Sequence, residues 1–221
     1  MLLYYSAIII VHELGHITVA LYYKWNIEKV ILLPFGGLTI FNEKINRPIA
    51  EEFIILIMGP IFQILGTIIY VLLTNDAALV YYSKIILIFN LIPIYPLDGS
   101  RLLNLIFNKL TSFRFSFLLT LYISILFIII VLINNHFNLL LLFIMFFLAI
   151  RVLDEYKGRE FMFNLFLLER YFYNFNFKKE IIINKVSKMK RDCKHIFKKA
   201  GRYKTEKEIL KSVFDRQHKL W

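Results

Sequence analysis

The sequence predicts an all-α integral membrane protein with about five transmembrane helices, a short β-hairpin or re-entrant segment near residues 32–45, and a basic cytoplasmic tail. Three observations predict this class. Hydrophobic residues make up 58% of the 221-residue chain, and its mean hydropathy is +0.61. Only 19% of the residues are charged, fewer than in an ordinary soluble domain. The apolar residues also form long, nearly charge-free runs, which favours membrane spans over a soluble core.

The predicted helices are apolar runs close to the ~20 residues that a helix needs to cross a bilayer, although the third and fifth are short. They occupy residues 1–23, 51–74, 78–97, 115–133 and 137–153. A cleaved signal peptide is the alternative for the first run. However, no Lys or Arg precedes its apolar part, and His12 and Glu13 interrupt it. We therefore expect a membrane-spanning helix there.

The charges of the connecting segments predict the orientation of the chain. Basic residues are concentrated in segments 24–50 and 98–114 and in the C-terminal tail. Segment 75–84 carries one Lys and one Asp, and segment 134–138 carries no formal charge. Because positively charged loops remain in the cytoplasm, we expect the N-terminus outside and the C-terminus in the cytoplasm.

The segment "LLPFGGLTIFNEKINRP" (32–48) fits neither a span nor a simple loop. Pro34, Gly36 and Gly37 disfavour a helix, and the alternation in "GLTIF" is typical of a short strand or hairpin. An extended edge at this place would be able to pair with an unfolded substrate by strand addition. A plain connecting loop fits these residues equally well.

Composition divides the chain into a transmembrane domain (1–153) and a basic tail (154–221). The first part carries nine Lys and Arg against seven Asp and Glu, and the second carries eighteen against nine. Such a tail suits the anionic inner face of the lipid bilayer or an acidic protein partner, and no nucleic acid is expected because no binding motif is present. Cys193 is the only cysteine, so no internal disulfide forms, in agreement with a reducing compartment.

The stretch "HELGH" contains the candidate metal-binding and catalytic residues of the first span. His12 and His16 are separated by four residues, so a helix places both imidazoles on one face, within reach of one metal ion. Glu13 lies beside them and is able to take a proton from a metal-bound water, whose pKa zinc lowers to near 7. Ionisable residues inside a membrane span are costly and mark functional sites.

A catalytic zinc of this kind needs a third protein ligand. Asp98 in "NLIPIYPLDGSR" (90–101) is the best candidate, because Pro93 and Pro96 prevent a regular helix and allow Asp98 to turn inward. An exposed turn after a proline-rich helix end is the alternative. Asn90, on the same span, either holds the substrate backbone or the Asp98 loop, or bonds a neighbouring helix. Glu51 and Glu52, at a span end, fit interfacial positions.

With these motifs in place, the chain resembles the site-2 protease family, the intramembrane zinc metalloproteases. The resemblance rests on "VHELGH", "LLPFGGL", "NRPIAEEF" with the following "MGP", and "FNLIPIYPLDG". It continues in "DEYKGR" and "FLLERYF", and so covers about residues 8–175. It implies a Zn²⁺ ion held by three residues, with a fourth as catalytic acid and base, and further residues that position the substrate. The implied ligands are His12, His16 and Asp98, the acid and base is Glu13, and the positioning residues are Asn90, Pro93, Pro96 and Gly99.

The resemblance is closest to family members that act in bacterial sporulation. It therefore implies a membrane-associated sigma-factor precursor as the substrate, inhibitory membrane proteins as partners, and the bacterial cell membrane or forespore membrane as the location. Such members carry a further span before the HExxH helix, whereas eleven residues precede His12 here. They also end in a CBS-type domain that senses nucleotide, so the short tail after residue 178 is interpreted as a truncated remnant of one. Ser100 stands where a second glycine is common.

The function predicted from these observations is an intramembrane zinc endopeptidase that cleaves a membrane-associated regulatory protein near the cytoplasmic face. A catalytically inactive membrane scaffold or regulator of the same fold, or a metal transporter, is the alternative. An inactive relative would usually have lost a ligand or the glutamate, and none is lost here. A transporter would carry more polar residues along its spans.

Overall fold

A computed structural model describes residues 2–33, 36–74, 78–134, 138–199 and 201–217. The chain is mostly helical, with two small sheets. In order, the elements are α1 (Leu2–Tyr22), β1 (Ile27–Leu33), β2 (Gly36–Phe41), α2 (Ile49–Thr74), α3 (Ala78–Leu91), α4 (Asp98–Leu110), α5 (Phe113–Asn134), α6 (Leu139–Phe172), β3 (Lys179–Ile183), a 3₁₀ turn (Val186–Lys188), β4 (Cys193–Lys199), β5 (Arg202–Thr205) and α7 (Glu206–Gln217).

Three helices in the described ranges are long and apolar enough to cross a membrane, within α1 (Tyr5–Tyr22), α2 and α5. The predicted count of about five is therefore not reached on these criteria. The apolar part of α3 is only Leu79–Leu91, because the helix ends before Pro93. Helix α6 has 34 residues, but Arg151 and the acidic pair that follows it interrupt its apolar half. Spans at α3 and α6 remain predictions.

Helices α1, α2 and α3 all contact one another, and α5 packs on α4 and α6. At Gly15 the helices α1 and α2 approach so closely that a Cβ atom would lie 2.3 Å from the carbonyl oxygen of Met58. The irregular segment after α3 packs through Ile94 and Leu97 on the α5–α6 pair, where Leu148 is fully buried. These contacts fix the start of α4 against the rest of the helices.

The predicted hairpin is present, and it begins earlier than expected. Strand β1 pairs antiparallel with β2, from Ile27 opposite Phe41 to Leu33 opposite Gly36. Pro34, which the sequence assigned to this turn, lies outside the described residues. Strand β2 packs on α1, beside the HELGH motif, so the hairpin lies against the helix that carries the two histidines.

The tail contains strands, so the prediction of an all-α fold was wrong for this part of the chain. Strands β3 and β4 are parallel, β4 and β5 are antiparallel, and α7 packs on β4 and β5. Their core is formed by Phe166, Phe197 and Leu210 with their neighbours. The alternating charges of the tail hid this core, because short strands half covered by lysines have low mean hydropathy. Helix α6 also continues through residue 153 without a break, so the division into 1–153 and 154–221 remains a prediction.

A buried polar junction joins the end of α6 to the loop that precedes α2. The Glu169 carboxylate accepts hydrogen bonds from the backbone of Ile45 (2.9 Å) and from the backbone and side chain of Asn46 (3.0 and 2.9 Å). Arg170 donates to the Asn46 side chain and to the carbonyl oxygens of Lys190 (2.8 Å) and Cys193 (2.7 Å). Burial lowers the pKa of Arg170 to about 10, which still leaves it charged at neutral pH.

Two further contacts attach the tail to the N-terminus of α2. Arg191 donates to Glu52 (2.8 Å) and to the carbonyl oxygen of Arg47 (2.8 Å). Asp192 accepts from the backbone N–H of Ile49 (3.0 Å), one of the amides that a helix start leaves without an intrahelical partner. The tail is therefore docked on the same end of the helices as the 42–48 loop.

The first prediction concerns this docking. Arg191→Ala should raise the rate of Cys193 alkylation by about tenfold or more, because removing a buried, hydrogen-bonded charge costs on the order of 1.5–3 kcal/mol. Cys193 is buried, and burial raises the pKa of its thiol, so it reacts slowly while the tail is docked. Alkylation with a maleimide, followed by mass spectrometry, measures the rate.

Arg114→Ala is the matched control, since it removes an ion pair between two exposed side chains, Arg114 and Glu160. It should leave the Cys193 rate unchanged. Equal rates in Arg191→Ala and in the unmodified chain would show that Arg191 does not hold the tail.

Candidate metal centre and active site

The structure brings together the three side chains that the sequence proposed as metal ligands. His12 and His16 lie one turn apart on α1 and are almost completely buried. Their Nε2 atoms are 3.1 Å apart. Asp98, the first residue of α4, places its Oδ2 atom 2.9 Å from His12 Nε2 and 3.3 Å from His16 Nε2. Three electron-pair donors from two distant segments therefore converge on one point.

The hydrogen-bond partner of each Nδ1 atom, on the side of the ring away from Asp98, determines which nitrogen carries the proton. His16 Nδ1 lies 2.8 Å from the carbonyl oxygen of Ile55, which can only accept. His12 Nδ1 lies 2.8 Å from Oε1 of Gln63, another acceptor. Both Nδ1 atoms therefore carry the hydrogen, and both Nε2 atoms face Asp98 with a free lone pair.

This arrangement fits a zinc ion. Zinc–ligand bonds of 2.0–2.2 Å in a tetrahedral site place the ligand atoms about 3.3–3.6 Å from one another. The three separations observed here, 2.9, 3.1 and 3.3 Å, are close to that spacing. Two neutral imidazoles and one carboxylate also match the donor atoms of catalytic zinc sites, which keep a fourth position open.

Glu13 lies beside these ligands and is held by the hairpin. Its Oε2 atom accepts a 2.6 Å hydrogen bond from the hydroxyl of Thr39 on β2. At Gly37, also on β2, a Cβ atom would lie 2.3 Å from Oε1 of Glu13, so only glycine leaves room for the carboxylate. The ligand atoms of His12, Glu13 and His16 lie within 4.8 Å of one another, but Asp98 approaches both imidazoles more closely. Distance therefore favours Asp98 as the third ligand and leaves Glu13 free for proton transfer.

A small cavity adjoins this group. Its volume is about 10 Å³, room for about one water molecule. Glu13, His16 and Asp98 line it together with Asn90 and Pro96. A water molecule here would lie next to both the metal ligands and the glutamate.

The other predicted residues take different places. Pro93 lies outside the cavity lining, and its carbonyl oxygen accepts from the hydroxyl of Ser124 (3.2 Å). Gly99 packs under the end of α3, where a Cβ atom would lie 2.1 Å from the carbonyl oxygen of Leu91. Glu51 accepts from Trp25 (3.1 Å) at the end of the span, in agreement with an interfacial position.

Sequence reasoning missed three residues that shape the site. Gln63 and Thr39 hold His12 and Glu13, and Gly59 on α2 lies directly against the imidazoles. Gln63 could have been identified from the sequence, since it is the only carboxamide within the apolar span 51–74 and polar residues inside spans mark functional sites. Thr39 and Gly59 carried none, because threonine is common in strands and a Gly-Pro pair in a helix suggests only close packing.

The chain is similar to several known proteins. Residues 1–78 match the model of "Peptidase family M50". The chain is 33% identical over 237 residues to stage IV sporulation protein FB of Bacillus subtilis, covering 94% of this chain and 81% of that protein. It is 34% identical over 112 residues to the zinc metalloprotease MJ0392 of Methanocaldococcus jannaschii, covering 46% of this chain and 32% of that protein.

A solved structure shows a similar fold. The site-2 protease from Methanocaldococcus jannaschii superposes with a TM-score of 0.56 and 29% sequence identity, covering 69% of this chain and 76% of that one. The similarity in fold and sequence extends over most of both chains.

The second prediction tests how closely α2 approaches the metal ligands. In Gly59→Ala the new Cβ atom would lie 2.2 Å from His16 Nε2 and 2.9 Å from His12 Nε2. We expect zinc affinity to fall by at least about tenfold, because metal sites tolerate ligand displacements of only about 0.5 Å. Zinc in the purified protein is measured by elemental mass spectrometry against a competing chelator.

Gly158→Ala is the control, because that helical glycine has open space where its Cβ would be. It should bind zinc as the unmodified chain does. Undiminished affinity in Gly59→Ala would mean that α2 does not confine the imidazoles.

Proposed function

The chain belongs to the site-2 protease family (peptidase family M50), and on that premise we propose that it cleaves a membrane-associated regulatory protein near the cytoplasmic face of the membrane. It is a zinc metalloprotease. The observation that carries the proposal is the convergence of His12 Nε2, His16 Nε2 and Asp98 Oδ2 within 3.3 Å of one another. When bound, zinc lowers the pKa of a water molecule and polarises the peptide carbonyl.

The residues around the metal ligands transfer the proton and position the substrate. Glu13 accepts the proton of the attacking water and delivers it to the leaving amine, as its position beside the cavity allows. Thr39 donates to Oε2 and Gly37 packs against Oε1, so the hairpin fixes the orientation of this carboxylate. Asn90 and Pro96 also line this cavity, and we assign them to positioning the substrate backbone.

The substrate has to be extended near the scissile bond, because a helix hides its carbonyl groups in backbone hydrogen bonds. Among the described residues, β2 pairs only with β1, which leaves its other edge free for strand addition. Thr39 of this strand already contacts Glu13. A chain added to β2 would therefore run past the catalytic glutamate.

A second, larger cavity of about 240 Å³ lies between the catalytic cavity and the tail. The two cavities share Phe41, Leu56 and Arg101 in their linings. Arg191 of the tail lines the outer end of the second cavity. We assign this space to the cytoplasmic flank of the substrate, which would then contact the docked tail.

The specific substrate we propose is a sigma-factor precursor processed during sporulation, with inhibitory membrane proteins as partners. The similarity to stage IV sporulation protein FB supports it, since that similarity covers 94% of this chain. The location follows from the same relation: the bacterial cell membrane or the forespore membrane.

We also propose a multi-pass topology with the N-terminus outside and the C-terminus in the cytoplasm. The basic segments support it, because the 42–48 loop, the start of α5 and the tail all pack together at one end of the helices. The positive charge is thus gathered on one side, as the positive-inside rule requires.

The third prediction tests this topology. Alkaline phosphatase inserted in segment 75–77 should be active, since that segment would face the outside, whereas an insertion after Thr111 should be inactive. Green fluorescent protein fused behind Trp221 should fluoresce. The reverse pattern of enzyme activity would invert the proposed orientation.

The fourth prediction tests the mechanism. Glu13→Gln keeps the size of the side chain and removes its base, so cleavage should fall by about 10²–10⁴-fold. Zinc content should stay that of the unmodified chain, because the carboxylate of Glu13 is not among the three closest donor atoms. Co-expression with a tagged sigma-factor precursor, followed by immunoblotting, measures cleavage.

Glu28→Gln, which changes an exposed carboxylate on β1, is the control and should cleave normally. Cleavage that persists in Glu13→Gln would rule out this mechanism. Absence of cleavage in the unmodified chain, with zinc bound, would favour a different substrate.

A further inference from the structure

Gln63 is a polar side chain in an apolar environment. It lies in the middle of α2, is 1% exposed, and is surrounded in sequence by Ile, Leu and Phe. A buried amide without partners costs several kcal/mol in a membrane, so such a group persists only where its hydrogen bonds are satisfied. Its partners therefore indicate what it does.

The amide of Gln63 bridges two other helices. Its Oε1 accepts from His12 Nδ1 on α1 (2.8 Å), and its Nε2 donates to the carbonyl oxygen (2.8 Å) and the hydroxyl (3.1 Å) of Ser83 on α3. Thr67, one turn further along α2, lies 2.8 Å from the same hydroxyl. The bridge thus joins α1, α2 and α3 behind the metal ligands.

This bridge has only one favourable orientation. If the amide were turned over, its oxygen would face the Ser83 carbonyl oxygen, and two acceptors would oppose each other. Ser83 therefore keeps Oε1 of Gln63 towards His12. As a result His12 must carry its hydrogen on Nδ1 and present the lone pair of Nε2 to Asp98.

His16 depends on a different kind of partner. Its Nδ1 is held by the backbone carbonyl of Ile55, which no side-chain substitution removes. His12 is held by a side chain alone. The side chains of α2 and α3 therefore control the orientation of His12, and through it the affinity for zinc. They do not control the orientation of His16 in the same way.

We propose that Gln63, oriented by Ser83, is a positioning residue for His12 that sets the zinc affinity of the site. The proposal rests on the proposed function in one respect, since it takes His12 as a zinc ligand. Partners of this kind that hold a metal-ligating imidazole change metal affinity by about 10–100-fold when removed.

The fifth prediction follows. Gln63→Leu, which removes the acceptor at similar volume, should weaken zinc binding by about 10–100-fold. In Gln63→Glu one carboxyl oxygen still accepts from His12, and the other, when protonated, donates to the Ser83 carbonyl oxygen in place of the amide, so zinc should bind within about threefold of the unmodified chain. Thr67→Val removes a neighbouring polar group that does not touch His12, and it should leave zinc affinity unchanged.

The measurement is zinc affinity of the full chain in detergent, by competition with a chelator and elemental mass spectrometry. The visible spectrum of the Co²⁺-loaded protein adds a readout of ligand geometry, which should change in Gln63→Leu and not in Thr67→Val. These readouts are independent of proteolysis.

The outcomes separate the two proposals. Zinc affinity of Gln63→Leu within about twofold of the unmodified chain, or equal losses in Gln63→Leu and Gln63→Glu, would overturn the role of Gln63 while leaving the protease intact. Failure of the unmodified chain to bind zinc would instead overturn the metal site itself. Should Gln63→Leu not fold, the comparison of Gln63→Glu with Thr67→Val still decides, because a weak Gln63→Glu would contradict the proposal.

Discussion

The lone pairs of His12 Nε2, His16 Nε2 and Asp98 Oδ2 point into one buried space, and three acceptors at 2.9–3.3 Å repel one another unless a cation lies between them. The surrounding structure serves to hold them there. Gly59 lets α2 lie against the imidazoles, and the segment after α3 packs on the α5–α6 pair so that Asp98 turns towards α1. The fold can therefore be understood as a frame around a site for zinc.

Water is the second requirement, and two adjoining cavities offer room for it. The small cavity beside Glu13 shares lining residues with the larger cavity that extends towards Arg191 and the tail. Polar and charged side chains line the larger cavity, among them Glu52, Arg101 and Asn104. The metal ligands thus lie at the end of a partly polar region that the tail helps to enclose.

Much of this site could be predicted from the sequence, because its signals are local. Two histidines four residues apart must share a helix face, and two prolines before Asp98 must interrupt a span. The hairpin was likewise visible in its glycines. The roles that could not be predicted depend on partners far away in sequence. Thr39 matters because it contacts Glu13, and Arg170 because it joins Asn46 to the tail. The length of α6 was missed for another reason, since no proline or cap marks its end at residue 153.

Helix α6 has a mechanical consequence. Its 34 residues make a rod about 51 Å long, whereas the hydrocarbon layer of a bilayer is about 30 Å thick. The tail is thus connected to the other helices by one continuous helix and not by a flexible linker. Leu148 and Val152 on one side of α6 belong to the same buried cluster as Ile94 and Leu97, which precede Asp98. A displacement of the tail would therefore be transmitted along α6 to the packing that precedes the third ligand, Asp98.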